Sequence, residues 1–165
     1  MQQSPSRFPA GTWFCVQLEA ILRVCILLDE VYVAVRILIA DDHEIVRQGI
    51  RRVLAAKPEW EICGEAANGQ EAVRMAQELT PDIIIMDVTM PVMTGFEAAD
   101  EISRLPIGSR VLFFTMHDTS SLAGSVRRSG AQGYVVKTRA SRDLIQALER
   151  LLNGGTFFDS SLYAH

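Results

Sequence analysis

Five polar residues whose side chains could bind a ligand or take part in a reaction stand at the ends of short apolar runs: Asp41, Asp42, Asp87, Thr115 and Lys137. Three of them are carboxylates. Carboxylates held close together repel and raise one another's pKa, so keeping all three ionised favours a bound cation. A site built from oxygen ligands suits Mg²⁺ or Mn²⁺, with water completing the coordination shell.

The same set of residues could support phosphoryl transfer. A carboxylate can act as a nucleophile and form an aspartyl phosphate, while a metal ion and a lysine neutralise the phosphoryl oxygens. Taken singly, each residue has a simpler explanation: Asp42 as the cap of a helix, Thr115 as a turn residue and Lys137 as a solvated charge. Their joint occurrence at matched positions favours one shared site.

The elements that must position these residues alternate regularly from Val35 onward. Predicted strands cover 35–40, 62–66, 83–86, 111–114 and 133–136. Predicted helices cover 43–56, 69–79, 94–105, about 118–129 and about 141–152. The strands are apolar at successive positions, as expected for strands buried on both faces. This pattern predicts a parallel sheet between two helical layers, with right-handed crossovers and a ligand site at the carboxyl ends of the strands.

Composition narrows the class of protein. Of the 165 residues, 48% are hydrophobic and 22% are charged, which is typical of a globular domain with a core. The formal net charge of −4 argues against direct nucleic-acid binding by this chain. Cys15, Cys25 and Cys63 form no CxxC pair, which indicates reduced thiols and a cytoplasmic location.

Residues 1–34 precede the regular pattern and need a separate explanation. The apolar segment between Trp13 and Leu28 is interrupted by Gln17, Glu19 and Arg23. It therefore falls short of the roughly 20 apolar residues of a membrane span, and it carries no evident signal-peptide cleavage site. Two interpretations remain: an added helix that packs on the domain or on a partner, or a leader created by a mis-assigned translation start.

Four segments resemble the receiver domain of two-component response regulators: ILIADDHEIVRQGIRRVL, PDIIIMDVTMPVMTGFEA, VLFFTMHD and GAQGYVVKT. DVTMPVMTG is the most specific piece, because it carries the Asp, the Met-Pro and the Gly at the family's spacing. The resemblance covers about 36–158, and GYVVKTRASRDLIQALERLLNGG is similar to receivers of the NarL/LuxR-type subgroup. Thr138 stands where many receivers have proline, although this subgroup often lacks it.

The resemblance implies a fold and a domain plan. The fold would be flavodoxin-like, a doubly wound five-stranded parallel sheet with strand order 2-1-3-4-5 and helices on both faces. The receiver domain would span 35–158, leaving 159–165 as a short tail.

The resemblance also implies a role for each acidic residue. Asp87 would be the phosphoacceptor. Asp42 would bind Mg²⁺ or Mn²⁺ directly, and Asp41 would act through water or assist. Asp87 itself and the backbone carbonyl of Thr89 would complete the protein ligands.

Three further residues would read the phosphorylation state by the same resemblance. Thr115 would be the switch hydroxyl, Lys137 the lysine that contacts the phosphoryl group, and Tyr134 the switch aromatic. His43 and His117 lie beside these positions, but we interpret both as residues at helix starts and not as metal ligands.

The implied function is a switch that catalyses only its own phosphorylation and is not otherwise an enzyme. A sensor histidine kinase would supply the phosphoryl group, and the face formed by the fourth helix, the fifth strand and the last helix would change its affinity for partners. Homodimerisation on phosphorylation is a further implication. Two outputs remain open: a stand-alone receiver acting on a downstream protein, or the receiver fragment of a LuxR-type regulator lacking its helix-turn-helix DNA-binding domain.

Two other classes of protein can be compared with this one. A phosphatase with an Asp nucleophile would carry a second Asp two residues later as general acid, but that position is Thr89. A flavodoxin-like cofactor carrier would need a phosphate-binding loop rich in Ser, Thr and Gly after the first strand, where this sequence has Asp-Asp-His-Glu. Both alternatives fit the residues less well than the receiver does.

Overall fold

The structure, a computed structural model, describes residues 34–116 and 120–158, of which residues 120–122 are described by their backbone alone. The predicted N-terminal extension up to residue 33, the tail 159–165 and His117 lie outside the described residues. Among the helices that are described, none has the length and apolar character needed to cross a bilayer.

The described chain forms five parallel strands in the order β2-β1-β3-β4-β5. The strands are β1 Val35–Ala40, β2 Trp60–Ala66, β3 Ile83–Met86, β4 Arg110–Thr115 and β5 Gly133–Val136. The helices are α1 Glu44–Leu54, α2 Gly69–Leu79, α3 Gly95–Ser103, α4 Ser120–Arg128 and α5 Ala140–Leu152, with a 3₁₀ turn at Lys137–Arg139. The predicted fold class and strand order are confirmed.

Each face of the sheet has its own core, because the strands are buried on both sides. One core receives side chains from α2, α3 and α4, including Ala72, Ala98 and Val126. The other receives side chains from α1 and α5, including Ile50 and Leu148. Helices of both layers thus shield the sheet, and the carboxyl ends of β1, β3, β4 and β5 meet along one edge of it.

Local signals place the helix starts. The side chain of Asn68 accepts a hydrogen bond from the backbone of Glu71 at the start of α2. Thr94 and Glu97 form the predicted capping box at the start of α3. The last helix begins slightly earlier than predicted and follows a 3₁₀ turn that starts at Lys137.

The segment after α5 closes the free edge of β5. Phe157 pairs with Gly133, and a side chain on that glycine would lie 2.1 Å from the Phe157 carbonyl oxygen. Phe157 packs against the core beneath α1 and α5, whereas Phe158 packs against the opposite core. The two rings therefore straddle the edge of the sheet, and the Phe158 ring centroid lies 6.4 Å from that of Tyr134.

Candidate functional site

Main-chain hydrogen bonds fix the end of β3 against β1 and the end of β1 against β2, and so hold two carboxylates at the same edge of the sheet. The backbone N–H of Asp87 donates to the carbonyl of Ala40 at 2.8 Å, and that of Asp41 donates to Ala66 at 3.1 Å. Asp41 and Asp87 each follow a fully buried stretch of strand, and both are themselves buried. The convergence expected from the strand ends is present for these two residues.

Lys137 joins these two carboxylates from the end of β5. Its Nζ lies 2.6 Å from Asp41 Oδ2 and 3.1 Å from Asp87 Oδ1. The lysine side chain is only 10% exposed, and those of Asp41 and Asp87 are 1% and 8% exposed. One ammonium group is therefore shared between two buried carboxylates, which leaves negative charge in the site.

The pKa of the Asp87 carboxyl reflects this incomplete compensation. Burial raises the pKa, the Lys137 ammonium opposes the rise, and the neighbouring Asp41 adds to it. The ionised form of Asp87 is thus disfavoured by its surroundings. A carboxylate in this position would gain from a bound cation, and a perturbed carboxyl in a polar cluster is typical of a reactive site.

Asp42 and His43 extend the acidic cluster toward solvent. His43 Nδ1 lies 2.7 Å from Asp42 Oδ1 and 3.4 Å from Asp41 Oδ1. The ligand atoms of these three side chains all lie within 4.8 Å of one another. His43 is the N-cap residue of α1, as expected of a residue at a helix start. Because the N-cap position belongs to His43, Asp42 does not cap the helix. The His43 side chain itself forms no capping hydrogen bond.

The loop after β3 folds tightly against Asp87. Thr89 is exposed, and its backbone carbonyl stays a predicted metal ligand. The Gly95 N–H donates to the Val88 carbonyl at 2.9 Å, and a Cβ on Gly95 would lie 2.0 Å from the Asp87 carbonyl oxygen. Only glycine allows this close approach.

Val92 in the same loop is a feature that the sequence did not reveal. Its φ is +68°, in the left-handed region that a β-branched residue rarely adopts, and its side chain is 80% exposed. The side chain therefore gains little packing in exchange for the backbone strain.

The two predicted switch residues are buried on neighbouring strands. Thr115 ends β4 and is 2% exposed, and Tyr134 in β5 is 1% exposed. Phe113 pairs with Tyr134, and both belong to the core beneath α2, α3 and α4. Because side chains alternate along a strand, Thr115 points to the same face of the sheet as Phe113. Thr115 and Tyr134 therefore lie on the same face of the sheet, on adjacent strands.

Comparison with known proteins agrees with this geometry. The family model described as "Response regulator receiver domain" matches residues 37–149. The chain therefore belongs to the receiver domain family of two-component response regulators. Members of this family act as switches and not as classical enzymes, pair with histidine kinases and generally bind Mg²⁺ in an acidic pocket.

Relatives of known name define the subgroup. The chain is 37% identical over 124 residues to the transcriptional regulatory protein DegU of Brevibacillus brevis, covering 74% of this chain and 52% of that protein. It is 35% identical over 128 residues to the transcriptional regulatory protein LiaR of Bacillus subtilis, covering 78% of this chain and 61% of that protein. The chain thus spans about half to three fifths of the length of these curated relatives.

Solved structures give the same result. A two-component response regulator of the LuxR family from Aurantimonas sp. SI85-9A1 aligns with a TM-score of 0.73 at 40% identity, covering 78% of this chain and 91% of that one. The receiver domain of RcsB from Salmonella enterica, solved with the phosphomimetic BeF₃⁻, aligns with a TM-score of 0.71 at 27% identity, covering 78% and 96%. The prediction of a NarL/LuxR-type receiver is confirmed, and the phosphatase and cofactor-carrier alternatives are set aside.

Proposed function

We propose that this receiver takes a phosphoryl group from the phosphohistidine of a sensor kinase onto Asp87. An Asp87 carboxylate oxygen attacks phosphorus as the bond from phosphorus to the histidine nitrogen breaks, and the bonding pair stays on the imidazole. The observation that carries the proposal is the buried pair of Asp41 and Asp87 sharing the single ammonium of Lys137. The raised pKa of Asp87 adds to it, because the surroundings leave this carboxylate undercompensated.

The donor set fits a hard divalent cation. Asp41, Asp42 and Asp87 offer carboxylate oxygens at the ends of two adjacent strands, and the loop after β3 offers the carbonyl of Thr89. Mg²⁺, or Mn²⁺ in its place, would neutralise the phosphoryl oxygens when bound. Lys137, which contacts both buried carboxylates, would move its hydrogen bond to a phosphoryl oxygen. Asp41 would then be freed to support the cation.

The switch itself would run through β4 and β5. The Thr115 hydroxyl would turn toward the phosphoryl group, and the space that it leaves would allow Tyr134 to move on the same face of the sheet. A local change in charge would in this way bias a two-state packing. The face formed by α4, β5 and α5 would pass the change to a protein partner, to a linked DNA-binding domain or to a second copy of the chain.

The proposal extends to the output of the whole protein and to its location in the cell. The two relatives named as transcriptional regulatory proteins, DegU and LiaR, support a DNA-binding output in the whole protein. The net charge of −4 argues against direct contact of this chain with nucleic acid. The scattered cysteines support a reducing, cytoplasmic setting.

The proposal is tested by incubating the purified chain with acetyl phosphate and reading its intact mass. We expect a gain of one phosphoryl group that requires Mg²⁺ and is lost in Asp87→Asn. Asp100→Asn is the matched control, because Asp100 lies on α3 and pairs with Arg104 away from the site. An unchanged mass in the folded wild-type chain, or equal labelling of Asp87→Asn, would refute the proposal.

A further inference from the structure

Arg47 of α1 reaches back to the acidic pocket with donors in three directions. Its Nη1 donates to the main-chain carbonyl of Asp41 at 2.7 Å, and its Nε donates to Glu65 Oε2 at 2.9 Å. Its Nη2 contacts the carboxylate of Glu44. The side chain is only 14% exposed, which is low for an arginine on a surface helix. The guanidinium is therefore held in one orientation.

The Asp41 carbonyl belongs to the peptide group that joins Asp41 to Asp42. Because a peptide group is planar, a hydrogen bond that fixes its oxygen also fixes its N–H and the directions in which both flanking residues leave it. The Asp41 carboxylate is further held by Lys137 and by the backbone N–H of His43. The Asp42 side chain is 29% exposed and contacts His43, itself 64% exposed, so its direction depends more on the peptide behind it.

The charge of Arg47 is offset within a small ion cluster. Glu44 and Glu65 each contact both Arg47 and Arg51, so two acids face two bases. Arg51 has the same two carboxylate partners as Arg47, but among the described residues its guanidinium donates to those two carboxylates alone. The two arginines thus share their electrostatic setting and differ in contact with the pocket.

We propose that Arg47 is a positioning residue that sets the Asp41–Asp42 peptide for cation binding. This inference rests on the proposed function, because it assumes that Asp42 holds the cation and that Asp41 assists. It also makes a prediction of opposite sign to simple electrostatics. Removing a positive charge near an acidic pocket should tighten cation binding, whereas loosening the peptide that aims its ligands should weaken it.

The test is a titration with Mn²⁺, in which the free ion is measured by electron paramagnetic resonance. We expect Arg47→Ala to raise the half-saturating Mn²⁺ concentration by about tenfold, the lower end of what loss of an outer hydrogen bond costs a metal site. Arg51→Ala removes the same charge and the contacts with the same two carboxylates, but it leaves the Asp41 carbonyl bonded to Arg47. We expect this variant to bind Mn²⁺ as tightly as the wild type or more tightly. Urea unfolding of each variant confirms that it is folded.

Arg47→Lys provides a second measurement that does not depend on the alanine variant folding. It keeps the charge but offers a single nitrogen in place of three donor directions, so we expect a weakening of a few fold. Equal effects of Arg47→Ala and Arg51→Ala, or wild-type affinity in both Arg47 variants, would overturn the positioning role. Absence of Mn²⁺ binding by the wild-type chain would instead overturn the proposed function.

Discussion

Replacing Asp87 with asparagine is expected to stabilise the folded receiver at neutral pH, although it removes a contact with Lys137. At an effective dielectric constant of about 20, that contact at 3.1 Å is worth roughly 5 kcal/mol of attraction. Desolvation of a carboxylate costs several kcal/mol in a protein interior, and repulsion from Asp41 adds to this cost. The pKa of the Asp87 carboxyl is raised, as expected where burial and Asp41 outweigh Lys137 and the backbone N–H of Val88.

The net gain is a small difference between these opposing contributions. We expect about 1–2 kcal/mol, because Lys137 retains its 2.6 Å contact with Asp41 in the variant. With a typical urea dependence for a domain of this size, the unfolding midpoint should rise by roughly 0.5–1 M. The measurement is urea denaturation followed by circular dichroism, without divalent cations.

The pH dependence gives the sign a second test. A carboxyl whose folded pKa lies above its unfolded pKa stabilises the fold most below the unfolded value, and that contribution is lost as pH rises through the folded value. The advantage of Asp87→Asn should therefore be largest at neutral pH and shrink as the solution is acidified through the raised pKa. Saturating Mg²⁺ should also narrow it. An asparagine variant less stable than the wild type at neutral pH would refute this reasoning.

Three further substitutions test the loop after β3 and the edge of the sheet. Gly95→Ala should lower the free energy of unfolding by about 1–3 kcal/mol, because the new Cβ would clash with the Asp87 carbonyl oxygen. The control is Gly49→Ala inside α1, where an added Cβ would meet nothing within 4 Å. This variant should be more stable than the wild type by up to about 1 kcal/mol. Both are read by thermal unfolding, and equal losses would contradict the contact. Val92→Gly should raise the free energy of unfolding by up to about 1 kcal/mol, because glycine adopts a positive φ without strain. A lower stability of this variant in urea denaturation would argue against backbone strain at Val92. Phe157→Ala should lower the free energy of unfolding by about 2 kcal/mol in the same assay, because its partly buried ring packs against the core beside β5. Wild-type stability of this variant would contradict that contribution.

The fold could be predicted because its signals are local and repeated. Apolar runs such as the one from Ile83 to Met86 have no polar alternation, as expected for short strands buried on both faces. The meeting of Asp41, Asp87 and Lys137 then followed from the rule that parallel strands end at one edge. Roles such as metal ligand, switch hydroxyl and switch aromatic came from family resemblance and stay predictions.

Other features of the site depend on tertiary contacts that no short pattern encodes. The positive φ of Val92 is invisible because valine is not a residue type that marks such a turn. The reach of Arg47 to the Asp41 carbonyl depends on how α1 packs beside β2, which supplies Glu65. The pairing of Phe157 with Gly133 lies in a segment too short to show periodicity.

The measurement that tests the central claim most directly is the chemical mapping of the phosphorylated residue. Borohydride reduces an aspartyl phosphate to homoserine, so reduction of the phosphorylated chain followed by peptide fragmentation marks the acceptor. We expect homoserine at position 87, in a reaction that requires Mg²⁺. Homoserine at another aspartate, or phosphoryl transfer that borohydride leaves unmarked, would contradict it.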